Sequence, residues 1–154
     1  MSLRPATEAD LGLLLGFMRA LYDEDGSTPL RADAAEAALR RLLAEPRHGL
    51  VQVIEQGGEP AGYIVLTWGF SLEFHGRDAF IDELYIAPQH RGAGLGRDAV
   101  AWAELACREH DARAVHLEVE MDNEVAHALY RGRGFAERGL RLMTKRLGAA
   151  PTAG

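Results

Sequence analysis

Glycine takes every second position in the stretch HRGAGLG, His90 to Gly96, with only Ala93 and Leu95 between Gly92, Gly94 and Gly96. An apolar run, AFIDELYIA, leads into it and stops at Pro88. Beyond it Leu95, Ala99, Trp102, Ala103 and Ala106 share one helical face to about His110. The sequence thus predicts a strand, a bare turn and a helix start, which points to a layered architecture of sheet and helix. The turn also has chemistry of its own. A helix start presents N–H groups without partners and the positive end of a dipole, and glycines let an anion approach them. Arg91 and Arg97 add positive charge at either end. The Rossmann fingerprint would need glycine where Arg97 stands, and a P-loop would need Lys-Ser/Thr where Arg97-Asp98 follow Gly96. A plain turn with positive φ angles is the reading that needs no ligand.

The remaining segments supply the partners for that unit. SLRP reads as a short first strand, Thr7 caps a helix running to about Tyr22, and the acidic turn DEDGS ends it. Asp33 and Glu36 open a second helix that Pro46 closes. LVQVIEQ and PAGYIVLTWGF alternate as strands around Gly57-Gly58, a hairpin turn. AVHLEVE is a further strand, Asn123 to about Arg131 a short helix, and GFAERG and LRLMTKRL two final strands. The order is β-α-α-β-β-β-α-β-α-β-β, an α/β fold with a mixed sheet and helices on its faces.

The 154 residues are the usual size of one domain, and the sequence predicts a single domain over 1–147 with a loose tail at 148–154. A net charge of -6 argues against a nucleic-acid partner and for a cationic or neutral small substrate. With Cys107 alone there is no internal disulfide, and no cysteine-based metal site is expected. His75, His110, His116 and His127 show no metal spacing. No run of about 18 apolar residues predicts a membrane span, and the N-terminus lacks the apolar core of a signal peptide, so a cytoplasmic setting is expected.

The stretch IDELYIAPQHRGAGLGRDAV resembles the central motif of the GNAT superfamily of N-acetyltransferases, Q/R-x-x-G-x-G/A. Two frames fit, Arg91 to Gly96 and Gln89 to Gly94, and the first is preferred because its last glycine would open the helix. Downstream, VEMDNEVAHALYRGRGF resembles the family's second conserved block, and the opening LRPATEADL is also typical. The resemblance spans about residues 3 to 147. It implies a mostly antiparallel central sheet of six to seven strands flanked by about four helices.

The resemblance further implies acetyl-CoA as co-substrate, with no metal. Its pyrophosphate would rest on Arg91, Gly92, Ala93, Gly94, Leu95, Gly96 and Arg97, and its pantetheine along Leu84, Tyr85 and Ile86. An unpaired strand edge satisfies the two pantetheine amides as another strand would, and a bulge in DELYI would open that edge. Attack of an amine on the thioester needs a base, because an ordinary ammonium titrates near about 10.4. Asp82 and Glu83 are the candidates; on a regular strand they face opposite ways, and Glu83 is favoured. The N–H near Leu84 would steady the acetyl oxygen. Tyr130 fits the family's general acid, or a core aromatic beside Leu129. Asn123 fits the family's cofactor contact and equally an N-cap.

On the acceptor side the resemblance has the stretch from Tyr22 to Gly26 line the pocket, where Asp23, Glu24 and Asp25, with Glu73, Asp82 and Glu83, would form an acidic mouth; a solvated turn is the plainer reading. Trp68, Phe70, Phe74 and Tyr85 are candidates for apolar walls or for core. The expected activity is acetyl transfer to a small primary amine in a ternary complex, without a covalent enzyme intermediate. Transfer to a protein N-terminus or lysine is the alternative within the class. A non-catalytic acyl-CoA sensor and a nucleotide-binding module are the rivals outside it. By analogy with the family, a homodimer through the last strands is expected.

Overall fold

The computed structural model describes residues 1–26 and 28–148. The elements are β1 (Ser2–Pro5), α1 (Leu11–Asp25), α2 (Ala32–Ala44), β2 (Gly49–Gln56), β3 (Glu59–Ser71), β4 (Gly76–Ile86), α3 (Leu95–Glu109), β5 (Val115–His116) and α4 (Glu124–Gly132). One sheet holds the strands in sequence order, antiparallel from β1 to β4, with β5 parallel to β4. That last pair requires a crossover, and α3 supplies it. No described helix is long and apolar enough to cross a membrane.

Each face of the sheet buries a separate core. Leu95, Ala99, Val100, Ala103 and Ala106 of α3 pack on Ile64, Leu66, Ala79 and Ile81. On the other face Leu11, Leu14 and Met18 of α1 and Leu39 of α2 pack on Val53, Tyr63, Val65 and Tyr85. From Tyr63 to Leu66 the side chains of β3 alternate between the two, which is why that run is buried throughout.

Five strands form where the sequence predicts six to seven. AVHLEVE contributes only Val115–His116 to the sheet, and residues 135–148 add no strand. β5 pairs with β4 only at Ala79 and Phe80, so the ladder on that side is two residues long. Leu140, Leu142, Met143 and Leu147 are exposed. The tail expected at 148–154 lies, from residue 149 on, outside the described residues, as does Ser27.

The predicted acidic turn is helical instead. α1 runs through Asp25 and stops at Gly26, whose φ of 60° forms the left-handed cap and whose N–H bonds Tyr22 O at 3.1 Å.

Candidate active site

The sheet opens at a single irregularity in β4. Val65 pairs with Glu83, but the next residue of β3, Leu66, pairs with Ile81. Asp82 is therefore the extra residue of a β-bulge. The bulge changes which way the acids point. On an unbroken strand Asp82 and Glu83 would face opposite sides of the sheet. Here Ile81 stays on the α3 face, while Asp82 and Glu83 both line one cavity on the α1–α2 face. The expectation that only one acid faces the cleft is thereby corrected.

The same bulge frees an edge. β4 pairs with β5 only at Ala79 and Phe80, short of Asp82. Beyond it, Ala87 N–H bonds Ala61 O at 2.8 Å. Antiparallel ladders alternate, so Tyr85 and Glu83 also turn their backbone groups toward β3, and Leu84 and Ile86 turn theirs outward. Of the three residues expected to meet a pantetheine, Leu84 and Ile86 offer backbone groups and Tyr85 offers none. The Tyr85 ring instead packs against Phe17 and Tyr63, with centroids 5.7 and 6.5 Å away.

Glu83 sits where α1 meets the sheet. Leu11, Leu14, Met18 and Tyr22 form one stripe of α1, and its last member donates its hydroxyl to Glu83 Oε1 at 2.9 Å. Tyr63, 1% exposed, donates to the other carboxylate oxygen. Burial raises the Glu83 pKa, the two phenol hydrogen bonds lower it, and the charges of Asp82 and Asp25 raise it further. The net direction is upward. Asp82 keeps solvent access and has no hydrogen-bond partner among the described residues; the surrounding protein raises its pKa as well. Both tyrosines are held protonated, chiefly by burial and then by the Glu83 charge.

The cavity beside these acids has a volume of about 420 Å³ and is walled by α1, α2 and the segment between them. Of the residues expected at an acidic mouth, Tyr22, Asp82 and Glu83 line it. Asp23 is exposed and outside the lining, and Glu24 is bonded to Arg91. Glu73 does not reach the cavity. It lies in the β3–β4 turn beyond Ser71, six residues along the strand from Val65, or about 20 Å at roughly 3.3 Å per residue, and pairs with Arg138. Trp68, Phe70 and Phe74 are absent from the walls too. Trp68 stacks on His110, Phe70 is exposed and Phe74 packs on His116.

The glycine turn stands at the outward end of the free edge. α3 begins at Leu95 with Gly94 as N-cap, so the frame that ends where the helix opens is Gln89 to Gly94 rather than Arg91 to Gly96. Gly92 and Gly94 have φ angles of 81° and 83°. Asp98 N–H is the first to close a helical bond, to Gly94 O at 3.1 Å. The N–H groups of Leu95, Gly96 and Arg97 precede it and have no partner among the described residues. A Cβ on Gly92 would meet nothing within 4 Å, and one on Gly94 only the tip of Arg97 at 3.5 Å. Ala93 is exposed between them. This is a bare cradle of donors, and it fits a diphosphate. His90 Nδ1 lies 2.8 Å from Gln56 Oε1, which fastens the turn to β2.

Arg91 points elsewhere. Its Nε donates to Ile86 O at 2.8 Å, its Nη2 contacts both Glu24 oxygens at 2.8 and 2.9 Å, and its guanidinium lies over the Tyr85 ring. Tyr130 packs at the edge of the α3-side core that also holds Leu84 and Ile86, with Phe135 edge-on at 5.9 Å. Burial raises its pKa, and its hydroxyl has no partner among the described residues. Asn123 caps α4, its Oδ1 accepting from Ala126 N–H at 3.1 Å. Cys107 is buried inside α3, its thiol pushed up to about 11 mainly by burial. No group of three or more metal-ligating side chains occurs among the described residues.

Tyr63, Arg31 and Arg146 are absent from the residues the sequence singles out. A phenol inside the apolar run of β3 must find a buried acceptor, and that signal was available for Tyr63. Nothing local to residue 146 marks it as a cavity residue.

Residues 15–135 match the family model described as Acetyltransferase (GNAT) family. A provisionally named ribosomal protein bS18-alanine N-acetyltransferase of Bacillus subtilis (strain 168) is 37% identical over 121 residues, covering 79% of this chain and 76% of that one. The aminoglycoside N(6')-acetyltransferase type 1 of Acinetobacter haemolyticus is 24% identical, with 89% and 92% covered. Among solved structures, an integron cassette protein from the mobile metagenome of Cole Harbour Salt Marsh superposes with a TM-score of 0.84 at 34% identity, over 96% of this chain and 91% of that one.

Proposed function

The chain belongs to the GNAT acetyltransferase family, and from that premise we propose that it transfers the acetyl group of acetyl-CoA to a primary amine on a small molecule, in a ternary complex. The observation that carries this reading is the bulge at Asp82. One irregularity aims two carboxylates into a cavity and frees the strand edge that leads to the glycine turn.

The donor would be held by the N–H groups of Leu95, Gly96 and Arg97 at its diphosphate and by the outward groups of Leu84 and Ile86 at its pantetheine amides. Gly92 and Gly94 keep the approach clear, Ala93 adds no bulk beyond a methyl, and Asn123 caps α4, whose Leu129 lies against Gly96. Acetyl-CoA supplies the thioester carbonyl that the amine attacks.

Glu83 is the base. It accepts a proton from the incoming ammonium, and its upward-shifted pKa narrows the gap to the amine that the transfer must cross. Tyr22 and Tyr63 fix the carboxylate in place. Asp82, on the same side, raises the local negative charge that draws the ammonium in. Leu84 N–H faces the side on which oxyanion charge grows as the C–N bond forms. Tyr130, held protonated by burial and without a hydrogen-bond partner among the described residues, donates to the departing sulfur as the C–S bond breaks, and the second proton that the nitrogen sheds on becoming an amide replaces it through solvent. The products are the amide and the free thiol, and no acyl-enzyme is needed. Cys107 is buried in a helix with a thiol pKa of about 11, in keeping with that.

Turnover of acetyl-CoA over a panel of amines, with the acetylated product identified by mass, tests the reading; binding of the donor without product would support the sensor alternative. Acylation confined to peptide N-termini would move the acceptor to the protein class. The same reading places the enzyme in the cytoplasm and as a homodimer, in which exposed Leu140, Leu142 and Met143 meet a second copy. Light scattering at the mass of a monomer would remove the dimer.

A further inference from the structure

The acceptor cavity carries both signs of charge. Asp82 and Glu83 supply the negative side from β4. Arg31 and Arg146 line the same cavity, Arg31 as the residue that precedes α2 and Arg146 from the C-terminal segment. Arg146 donates from Nη2 to Thr28 Oγ1, another lining residue, at 2.5 Å. Neither guanidinium has a carboxylate partner among the described residues. This separates them from Arg91 and Arg138, which Glu24 and Glu73 hold.

A guanidinium that lines a cavity without a counter-ion is a receptor for a planar or tetrahedral oxyanion, which it can meet with two parallel N–H donors. It also repels a second ammonium. A dicationic acceptor would place one charge on the acids and bring the other against Arg31 or Arg146, which is discrimination by repulsion. The apolar side chains that line the same cavity, Ala35, Ala38 and Leu42 among them, suit a short alkyl spacer.

We propose that the acceptor is a primary amine that also carries an oxyanion, its ammonium at Asp82 and Glu83 and its carboxylate or phosphonate at Arg31 and Arg146. The inference rests on the acetyltransferase reading and refines it, replacing a simple cation with a zwitterion.

Four matched acceptors test it: 5-aminovalerate, 3-aminopropylphosphonate, pentylamine and cadaverine, each with acetyl-CoA and the full-length enzyme. The wild type is expected to show a kcat/KM at least tenfold higher for an anionic amine than for pentylamine, with cadaverine lowest. The two anionic compounds separate carboxylate from phosphonate recognition. In Arg146→Gln, and further in Arg31→Gln/Arg146→Gln, the ratio of anionic amine to pentylamine falls tenfold or more and cadaverine gains. Circular dichroism and melting confirm that the variants fold, and calorimetric binding of 5-aminovalerate reads the same preference without turnover. An equal or higher kcat/KM for cadaverine in the wild type overturns the inference and leaves acetyl transfer standing. So does an anionic preference that survives the double variant. Absence of transfer to every amine, with 5-aminovalerate still binding through the two arginines, overturns the enzymatic reading and retains the ligand class.

Discussion

Arg91 lays its Nε–H on the carbonyl oxygen of Ile86 at 2.8 Å, on the strand edge that the bulge leaves free. Glu24 holds the far side of the same guanidinium. The arginine beside the glycine turn is thus bound to the edge that the pantetheine would use, and to an acid at the end of α1. Donor binding has to break these contacts. Glu24→Gln is expected to tighten CoA binding, by up to about fivefold, the ceiling set by the roughly 1 kcal/mol of an exposed ion pair. Titration calorimetry at low and moderate salt checks this, and the gain should shrink as salt rises.

Tyr63→Phe should move the pH profile in a known direction. The Tyr63 hydroxyl lowers the Glu83 pKa, so its loss moves that pKa further in the upward direction set by burial. A base works only when deprotonated. The acid limb of kcat/KM therefore shifts to higher pH in the variant, and activity below neutrality falls more than activity above it. A profile that keeps its acid limb in place would remove Glu83 from the base role.

Gly94 and Gly96 should respond oppositely to alanine. Gly94 has a φ of 83°, and a left-handed L-residue costs about 1–2 kcal/mol. Gly96 lies inside α3, where an added Cβ would sit 3.5 Å from Leu129, an ordinary contact. Gly94→Ala is expected to lower stability, and Gly96→Ala to leave it unchanged or raise it by up to about 1 kcal/mol. Urea unfolding measures both.

Asp10 anchors the entrance to α1. Arg4 holds it with two hydrogen bonds of 2.9 Å, and Thr7 N–H adds a third at 2.8 Å. The Arg4 hydrogen bonds lead in drawing its pKa down to about 2. A carboxylate with a depressed folded pKa stabilises the protein above its unfolded value, near about 3.9, and that contribution is lost as pH falls through about 2. Asp10→Asn is expected to cost about 2 kcal/mol at neutral pH, the scale of charge-assisted hydrogen bonds. Its stability should also fall less than that of the wild type between pH 4 and 2.

The parts of this architecture written locally were the readable ones. The Gly57-Gly58 hairpin, the Asn123 cap and the helix after the glycine turn each follow from a few adjacent residues. So does the presence of two acids before the free edge. Which way they face was not readable, because it depends on Asp82 being unpaired, and that is decided by the register of β3 against β4. Alternation alone assigned Asp82 and Glu83 to opposite faces. The need of Tyr63 for a buried acceptor is legible in β3, but the identity of that acceptor is not: Glu83 lies 20 residues away, and only strand pairing brings them together. Glu73 was drawn into the site by its charge, although the length of the hairpin carries it to the far end. The last two segments have suitable patterns, yet a pattern does not choose a pairing partner, and residues 135–148 join no ladder.

The central claim is that a carboxylate placed by the bulge removes the proton from an amine aimed at a CoA thioester. Initial rates of amide formation by wild type and Glu83→Gln, each with its CoA affinity measured beside it, test that claim most directly. Equal affinities with a rate lower by about 10²–10⁴ in the variant are the predicted result. Equal rates in the two proteins, or no amide from either, would contradict it.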